Sequence, residues 1–263
     1  MPEPLKTRFA RFLTALPEAE AIDALDLPDD PANPRKADFL LASRRVVVEV
    51  KSLEGDPAST IAAEIDKHRV RPDFPQIYGK TNTQTVLAAL PDGDKIYRRF
   101  FFAMTRSVEA AIRDAEEQVT NTQEVLNLPD SVRMLVILNE SIEVFDPTVV
   151  GYRVGNLMRR PRTGKSAAKT LDFVWLNFES HTVGKADEIP VLPHMLIRGE
   201  RASEFSWFPG FYSGLLGRLA AFNGAAFLGC GTADPYLLAF EKNVPRPNAP
   251  RTASSAQQGS PNE

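Results

Sequence analysis

The spacing of hydrophobic residues divides the start of the chain into a helix and a pair of strands. In residues 5–16 apolar side chains recur every three or four positions, which predicts an amphipathic helix that ends at Pro17. Residues 38–42 and 45–53 are instead rich in apolar and β-branched side chains on either side of Ser43-Arg44. That pattern predicts an antiparallel hairpin with a two-residue turn.

The rest of the chain alternates between the same two kinds of pattern. Further helices are predicted to begin at Ser59 or Thr60, at Ser107 and at Asp146-Pro147. Residues 132–138 form a continuous apolar run of strand length, and residues 95–105, with three successive phenylalanines, and 171–178 also predict strands. Proline and glycine mark residues 72–94 as a loop-rich insertion, and residues 207–229 predict one more helix at their centre. Alternating strands and helices are typical of an α/β fold.

The second strand of the hairpin carries charged residues on one of its faces. Because side chains alternate along a strand, Glu49 and Lys51 share a face with Val47, while Val46, Val48 and Val50 point the other way. A two-residue turn pairs position 38 with position 49, so Asp38 and Glu49 should stand opposite each other. Like charges at the Cβ separation of about 5 Å destabilise a sheet, and a cation should therefore lie between them. Mg²⁺ suits such a place, because it needs only one or two protein carboxylates.

An ordinary ion-pair arrangement is the alternative for the same residues. Asp38 could pair diagonally with Lys51, and Lys36 could pair with Glu49, on a sheet face that is exposed to solvent. Such a face more often carries threonine, serine or arginine than Val47 and Leu53, which favours the metal site.

A family resemblance rests on these residues. Asp38, ten intervening residues and then Glu49-Val50-Lys51 at the end of a valine-rich strand resemble the signature of the PD-(D/E)xK nuclease-like, or restriction-endonuclease-like, superfamily. The resemblance implies a leading helix, a mixed central sheet with helices on both faces, and a site on the second and third strands. It also implies that Asp38, Glu49 and the backbone carbonyl of Val50 bind Mg²⁺ or Mn²⁺, and that Lys51 is catalytic with the two acids.

The resemblance also implies supporting residues outside the hairpin. Many members carry a further acid on the leading helix; here that helix has none, and Glu18 and Glu20 just beyond it are the candidates. Related nucleases place a glutamine or lysine near the phosphate on the helix that packs behind the hairpin. Gln118 and Gln123 are the candidates for that position, although the tyrosine that follows the glutamine in some members is missing.

A basic segment after the predicted helix at Asp146 is a candidate for contact with the nucleic-acid backbone. Its five cations lie within eleven residues that contain no acid, and they are Arg159, Arg160, Arg162, Lys165 and Lys169. Lysine and arginine neutralise phosphates without reading sequence. The alternative is a solvated loop after a helix end.

Composition limits the classes of function. The net charge of −3 argues against a surface that is basic throughout, although a metal site needs positive potential only over its own groove. The single cysteine, Cys230, excludes an internal disulfide and a multi-cysteine zinc site. No apolar run is long enough to span a membrane and the first residues lack the apolar centre of a signal peptide, so we expect a cytoplasmic protein without a membrane partner.

Together these patterns predict an α/β protein in three parts. Residues 1–145 form the restriction-endonuclease-like core with an insertion near 72–94, residues 146–243 form a C-terminal helix and β-rich extension packed on the core, and residues 244–263 form a disordered tail. The expected function is metal-dependent hydrolysis of phosphodiester bonds, with nucleic acid, most simply DNA, as the partner. The alternative is a nuclease-like binding or scaffold protein without catalysis, and the oligomeric state, a homodimer included, is open.

Overall fold

The structure, a computed structural model, describes residues 3–25, 35–76, 79, 83–160, 170–186, 189–227 and 241–242. The helices among these residues are α1 (Leu5–Thr14), α2 (Ala58–Arg69), α3 (Thr83–Ala88), α4 (Gly93–Met104), α5 (Arg106–Leu126), α6 (Pro147–Met158) and α7 (Phe208–Phe222). The strands are β1 (Glu20–Ala21), β2 (Phe39–Leu41), β3 (Val46–Ser52), β4 (Val132–Asn139), β5 (Phe173–Phe178), β6 (His181–Thr182), β7 (Lys185–Ala186), β8 (Ile189–Pro190), β9 (His194–Arg198) and β10 (Glu241–Lys242).

A mixed open sheet organises the fold. Within the described part of the chain its strands follow the order β1-β2-β3-β4-β5-β9. The two pairings at its centre, β3 with β4 and β4 with β5, are parallel, and the pairings toward both edges are antiparallel. The helices α5 and α6 make the crossovers that parallel neighbours require. The predicted α/β class is therefore confirmed.

The hairpin of β2 and β3 has the predicted register. Phe39 pairs with Val48 and Leu41 with Val46, which places position 38 opposite position 49. Ala42, Ser43 and Arg44 have φ angles of 53°, 55° and 65°, and the N–H of Arg45 donates to the carbonyl of Ala42 at 3.3 Å. Positive φ at the two central residues, Ser43 and Arg44, is typical of a type I′ turn, whose twist matches that of the strands it joins.

Each face of the sheet is covered by its own helices. Val46, Val48 and Val50 pack in one core with α1 and α7, whereas Val47 packs in a second core with α5 and α6. Glu49 and Lys51 alternate with Val47 and therefore point to the α5 side of the sheet. The face that carries the charged residues is thus covered by a helix.

Between β3 and α5 the chain forms a small helical group. Helices α2, α3 and α4 surround a core of their own, made of Leu87, Leu90, Ile96 and Phe100. The prediction of a strand at residues 95–105 is wrong, because Ile96 and Phe100 recur at helical spacing and are buried on one side of α4, whereas Phe102 is 53% exposed. The expected loop-rich insertion at 72–94 likewise contains α3 and the start of α4.

The C-terminal half of the described chain extends the same sheet. Strands β5 and β9 add to β4, and α7 covers their outer face through Phe208 and Leu215. Asp146 accepts hydrogen bonds from the N–H groups of Thr148 and Val149, so the predicted cap of α6 is confirmed. The expected disordered tail at 244–263 lies outside the described residues. Of the helices described, none is both long and apolar enough to cross a membrane.

Candidate active site

Asp38 is fixed at the end of the hairpin by both its backbone and its side chain. Its N–H donates to the carbonyl of Val48 at 3.0 Å, and its own carbonyl accepts from the N–H of Ile22 at 2.9 Å. Its carboxylate Oδ2 accepts a hydrogen bond of 2.7 Å from the N–H of Val50. On a strand the N–H and the carbonyl of one residue point to the same side, so the carbonyl of Val50 also points toward Asp38.

Glu49 stands opposite Asp38 and is 2% exposed. Its Oε1 lies 2.5 Å from the Nζ of Lys51, and its Oε2 is buried without a hydrogen-bond partner among the described residues. A buried carboxylate oxygen without a partner is costly, since it has lost its contacts with water and gained none from the protein. The burial of this oxygen next to Asp38 therefore favours a proton or a cation on Glu49.

The pKa values of both carboxylates are raised by their surroundings. Burial and the charge of Asp38 raise the pKa of Glu49 to about 7, against the opposing effect of Lys51. Burial likewise raises the pKa of Asp38, although the N–H of Val50 and the charge of Lys51 oppose that rise. Neighbouring carboxylates with raised pKa values are typical of sites that bind a cation or transfer a proton.

Lys51 is held in place from helix α5. Its Nζ lies 2.6 Å from the Oε1 of Gln118, and the Nε2 of Gln118 donates to the carbonyl of Lys36 at 3.0 Å. The side chain of Lys51 is 28% exposed, so the ammonium group reaches solvent while Glu49 beside it does not. Of the two candidate glutamines, Gln118 is therefore the one that the fold brings to the hairpin.

Two further residues of α5 hold the segment that leads into Asp38. The Oγ1 of Thr122 accepts from the N–H of Ala37 at 2.8 Å, and the Nδ2 of Asn121 donates to the carbonyl of Arg35 at 3.3 Å. Asn121 and Thr122 were not predicted from the sequence. The run of polar side chains around Gln118, on a helix whose other positions are apolar, could have indicated them, but it does not reveal which strand the helix faces.

Gln123 is not at the site. It is 4% exposed, its Nε2 donates to both oxygens of Ser131, and its Oε1 accepts from the Nε of Arg133 at 2.6 Å. Its amide thus joins the end of α5 to the start of β4. The expected contact between Gln123 and nucleic acid is wrong for this physical reason.

Neither of the two candidate acids beyond the leading helix reaches Asp38. Glu18 pairs with Arg218 of α7, and Glu20 pairs with Arg44 in the hairpin turn, where their oxygen and nitrogen atoms lie 2.6 Å apart. These arginines lower the pKa of both acids. No third histidine, cysteine or acidic side chain joins Asp38 and Glu49 within the part of the chain that the structure describes.

The basic segment after α6 is described only at its start. Arg159 and Arg160 are exposed at the end of α6, and the Nε of Arg159 donates to the carbonyl of Gly155 at 3.1 Å. Arg162, Lys165 and Lys169 lie outside the described residues. The role of this segment in binding phosphates stays a prediction.

The alternative of a solvent-exposed sheet face is wrong, because α5 covers the face and leaves Val47 and Glu49 almost fully buried.

A cavity of about 300 Å³ lies beyond Lys51, where the chain leaves β3 and β4, and is lined by Ser52, Gly55 and Ser141 among others. Glu54 and Asp56 also line this cavity. This end of the sheet therefore carries negative charge.

Comparisons with protein-family models, with curated proteins and with solved structures give no match for this chain.

Proposed function

We propose that the chain is a metal-dependent nuclease with a restriction-endonuclease-like core, and that it hydrolyses phosphodiester bonds in DNA. The observation that carries the proposal is the buried, unpartnered Oε2 of Glu49 next to Asp38, with Lys51 beside both. A structural ion pair would satisfy that oxygen, whereas a cation-binding carboxylate must keep it available.

The order of the elements supports the same proposal. The resemblance implies a leading helix, then the strands that carry the site, then a helix and a further strand. The chain has helix α1, the antiparallel strands β1, β2 and β3 and, after the helical group α2–α4, the crossover helix α5 and the parallel strand β4. In this order the two acids and the lysine lie at the junction of the second and third strands. One fold can host many functions, so the chemistry of the site supports the proposal more strongly than the order of the elements does.

The donor set fits Mg²⁺ or Mn²⁺. Asp38, Glu49 and the carbonyl of Val50 would hold the ion, and water and phosphate oxygens would complete its shell. The bound ion would orient the scissile phosphate and lower the pKa of the attacking water. Lys51, held by Gln118 and Glu49, places a positive charge next to the phosphate, where it stabilises negative charge that grows during hydrolysis.

Site variants test this proposal directly. Asp38→Asn, Glu49→Gln and Lys51→Met should each lower magnesium-dependent cleavage of a labelled oligonucleotide by at least about a hundredfold. The first two variants lose a carboxylate that holds the ion, and the third loses the positive charge beside the phosphate. Glu20→Gln is the matched control, since its carboxylate is bound to Arg44 and should leave cleavage unchanged. Equal cleavage by the wild type and all three site variants would assign the activity elsewhere.

A binding protein on the same scaffold is the second candidate function. It is favoured by the presence of only two acidic side chains at the site among the described residues. Thermal unfolding separates the candidates, because a metal bound only by the native state raises its stability by mass action. We expect millimolar Mg²⁺ or Mn²⁺ to raise the Tm of the wild type but not that of Glu49→Gln. No shift in the wild type would favour the binding protein.

A further inference from the structure

An exposed group of aromatic side chains lies where α4 meets α6, which we call the aromatic patch (Phe101, Phe102 and Tyr152). The side chain of Phe102 is 53% exposed and that of Tyr152 is 46% exposed. The ring of Phe101 lies between them, with its centroid 5.9 Å from that of Phe102 and 5.8 Å from that of Tyr152. The aromatic patch therefore presents ring surface to solvent rather than to the core, which is uncommon for a group of this size.

One arginine packs on the aromatic patch and two more lie close to it in sequence. The guanidinium carbon of Arg153 lies 4.9 Å from the centre of the Phe102 ring, and the Nε of Arg153 is buried without a hydrogen-bond partner. Arg98 lies one helical turn before Phe102 on α4, and Arg106 is the first residue of α5. Both are exposed, and neither forms an ion pair among the described residues.

Two acids lie near these arginines. The carboxylate of Glu109 is bound to Arg153, and Asp94, one turn before Arg98 at the start of α4, forms no ion pair with it among the described residues. Arg98 and Arg106 are thus exposed without an ion pair among the described residues, near rings of which about half the surface is exposed. Aromatic rings with adjacent cations are the combination that binds single-stranded nucleic acid, since an unpaired base stacks on the ring and a cation neutralises its phosphate.

We propose that the aromatic patch binds single-stranded DNA, with bases stacked on Phe102 and Tyr152 and phosphates at Arg98 and Arg106. The inference rests on the proposed nuclease function, for which it names an unpaired strand as the substrate. Helix α5 connects the two places: Arg106 begins it, and Gln118 further along it contacts Lys51. At a rise of 1.5 Å per residue they lie about 18 Å apart along the helix axis, a distance that about five stacked nucleotides cover at 3.4 Å each.

Binding measured without cleavage tests the inference. The full-length protein is titrated in EDTA against a fluorescein-labelled oligothymidylate, the same sequence in RNA, and a DNA duplex, and fluorescence anisotropy reports the dissociation constants. We expect tighter binding to the single DNA strand than to the duplex, and a loss of about tenfold in affinity for Phe102→Ala and for Tyr152→Ala, as for one stacked base. Arg98→Ala should weaken binding and reduce its dependence on salt.

Two controls make the result specific to the rings. Phe102→Trp keeps a ring and should keep the affinity, and Phe227→Ala removes a phenylalanine that is 43% exposed outside the aromatic patch and should have no effect. Equal affinity of the wild type and Phe102→Ala, tighter binding to the duplex, or binding to none of the oligonucleotides would overturn the inference. Tighter binding to the RNA would overturn the choice of DNA.

The two proposals fail separately. In one outcome, Lys51→Met loses magnesium-dependent cleavage while Phe102→Ala leaves KM unchanged. That outcome would support the nuclease function and refute a role for the aromatic patch in substrate binding. In the other outcome, the protein binds single-stranded DNA in a way that depends on Phe102 but cleaves no DNA. That outcome would support the aromatic patch and refute the nuclease function.

Discussion

At the scale of single residues, the two facing carboxylates differ in what satisfies them. Asp38 accepts a hydrogen bond from the N–H of Val50 and is partly exposed, whereas Glu49 is buried between the ammonium group of Lys51 and the carboxylate of Asp38. Without a metal ion, the proton that the pair retains therefore resides on Glu49. A bound divalent cation would displace that proton, so metal binding and protonation compete for the same oxygen.

This competition predicts an unusual dependence of stability on pH in the metal-free protein. The pKa of Glu49 is about 7 in the folded protein and 4.5 without perturbation, so the folded state holds the proton more tightly. The resulting stabilisation is fully present below pH 4.5 and is lost as the pH rises through 7, at a cost on the order of 3 kcal/mol. Glu49→Gln, which cannot ionise, should remove this loss and be more stable than the wild type at pH 8 in EDTA.

Urea unfolding at pH 5 and at pH 8 measures both quantities. Glu20→Gln serves as the control, because the Glu20 carboxylate is half-exposed and paired with Arg44. Equal changes in the free energy of unfolding for the wild type and Glu49→Gln between the two pH values would contradict the assignment of the proton to Glu49.

At the scale of elements, helix α5 positions the site. Gln118, Asn121 and Thr122 bind the backbone of residues 35–37, and Gln118 also contacts Lys51. A single helix therefore fixes both the segment before Asp38 and the ammonium group. The amide of Gln118 performs both tasks at once, because its nitrogen donates to Lys36 while its oxygen accepts from Lys51.

Replacement of this amide should impair catalysis more than binding. Gln118→Leu removes both hydrogen bonds, so we expect kcat to fall about tenfold, as for one lost orienting hydrogen bond, while KM and the metal-induced rise in Tm stay nearly unchanged. Steady-state cleavage kinetics provide the measurement, and Glu117→Gln on the exposed side of α5 is the matched control. A change in KM alone would instead make Gln118 a substrate-binding residue.

The hairpin was predictable from sequence because its information is local. A two-residue turn determines that position 38 faces position 49, and the alternation of side chains determines that Glu49 and Lys51 share a face. The roles of Gln118 and Gln123 were not predictable, since they depend on which part of β3 or β4 lies beneath each turn of α5. Residues 95–105 were assigned to a strand because three successive phenylalanines look buried on both sides, yet only Phe100 of the three is fully buried.

At the scale of the whole molecule, the protein combines a sheet with two large cores and a helical group with a small one. The sheet packs against α1 and α7 on one face and α5 and α6 on the other. Among the described residues, the buried apolar side chains of the helical group α2–α4 are Val86, Leu87, Leu90, Ile96 and Phe100, and α2 buries none of its own. The helical group therefore has much less apolar burial to stabilise it than the sheet has.

This difference predicts separate opening of the helical group. Amide hydrogens of α2 and α4 should exchange through local unfolding at a lower free energy than those of β3 and β4. Hydrogen exchange measured by mass spectrometry under native conditions gives the protection of each element. Protection of α4 as strong as that of β4 would show that the helical group unfolds together with the sheet.

The valines of β3 have a further consequence for how this protein could change. Because both faces of the strand are hydrophobic, sliding it by one position would exchange valine for valine in either core and cost little packing at residues 46–48. What such a slip destroys is the meeting of Glu49 with Asp38, since the glutamate would turn toward α1. One amino acid gained in the tight turn would therefore both separate the two carboxylates and bury Glu49 in the apolar core beneath α1, so the meeting of the acids and the stability of the sheet constrain the length of that turn together.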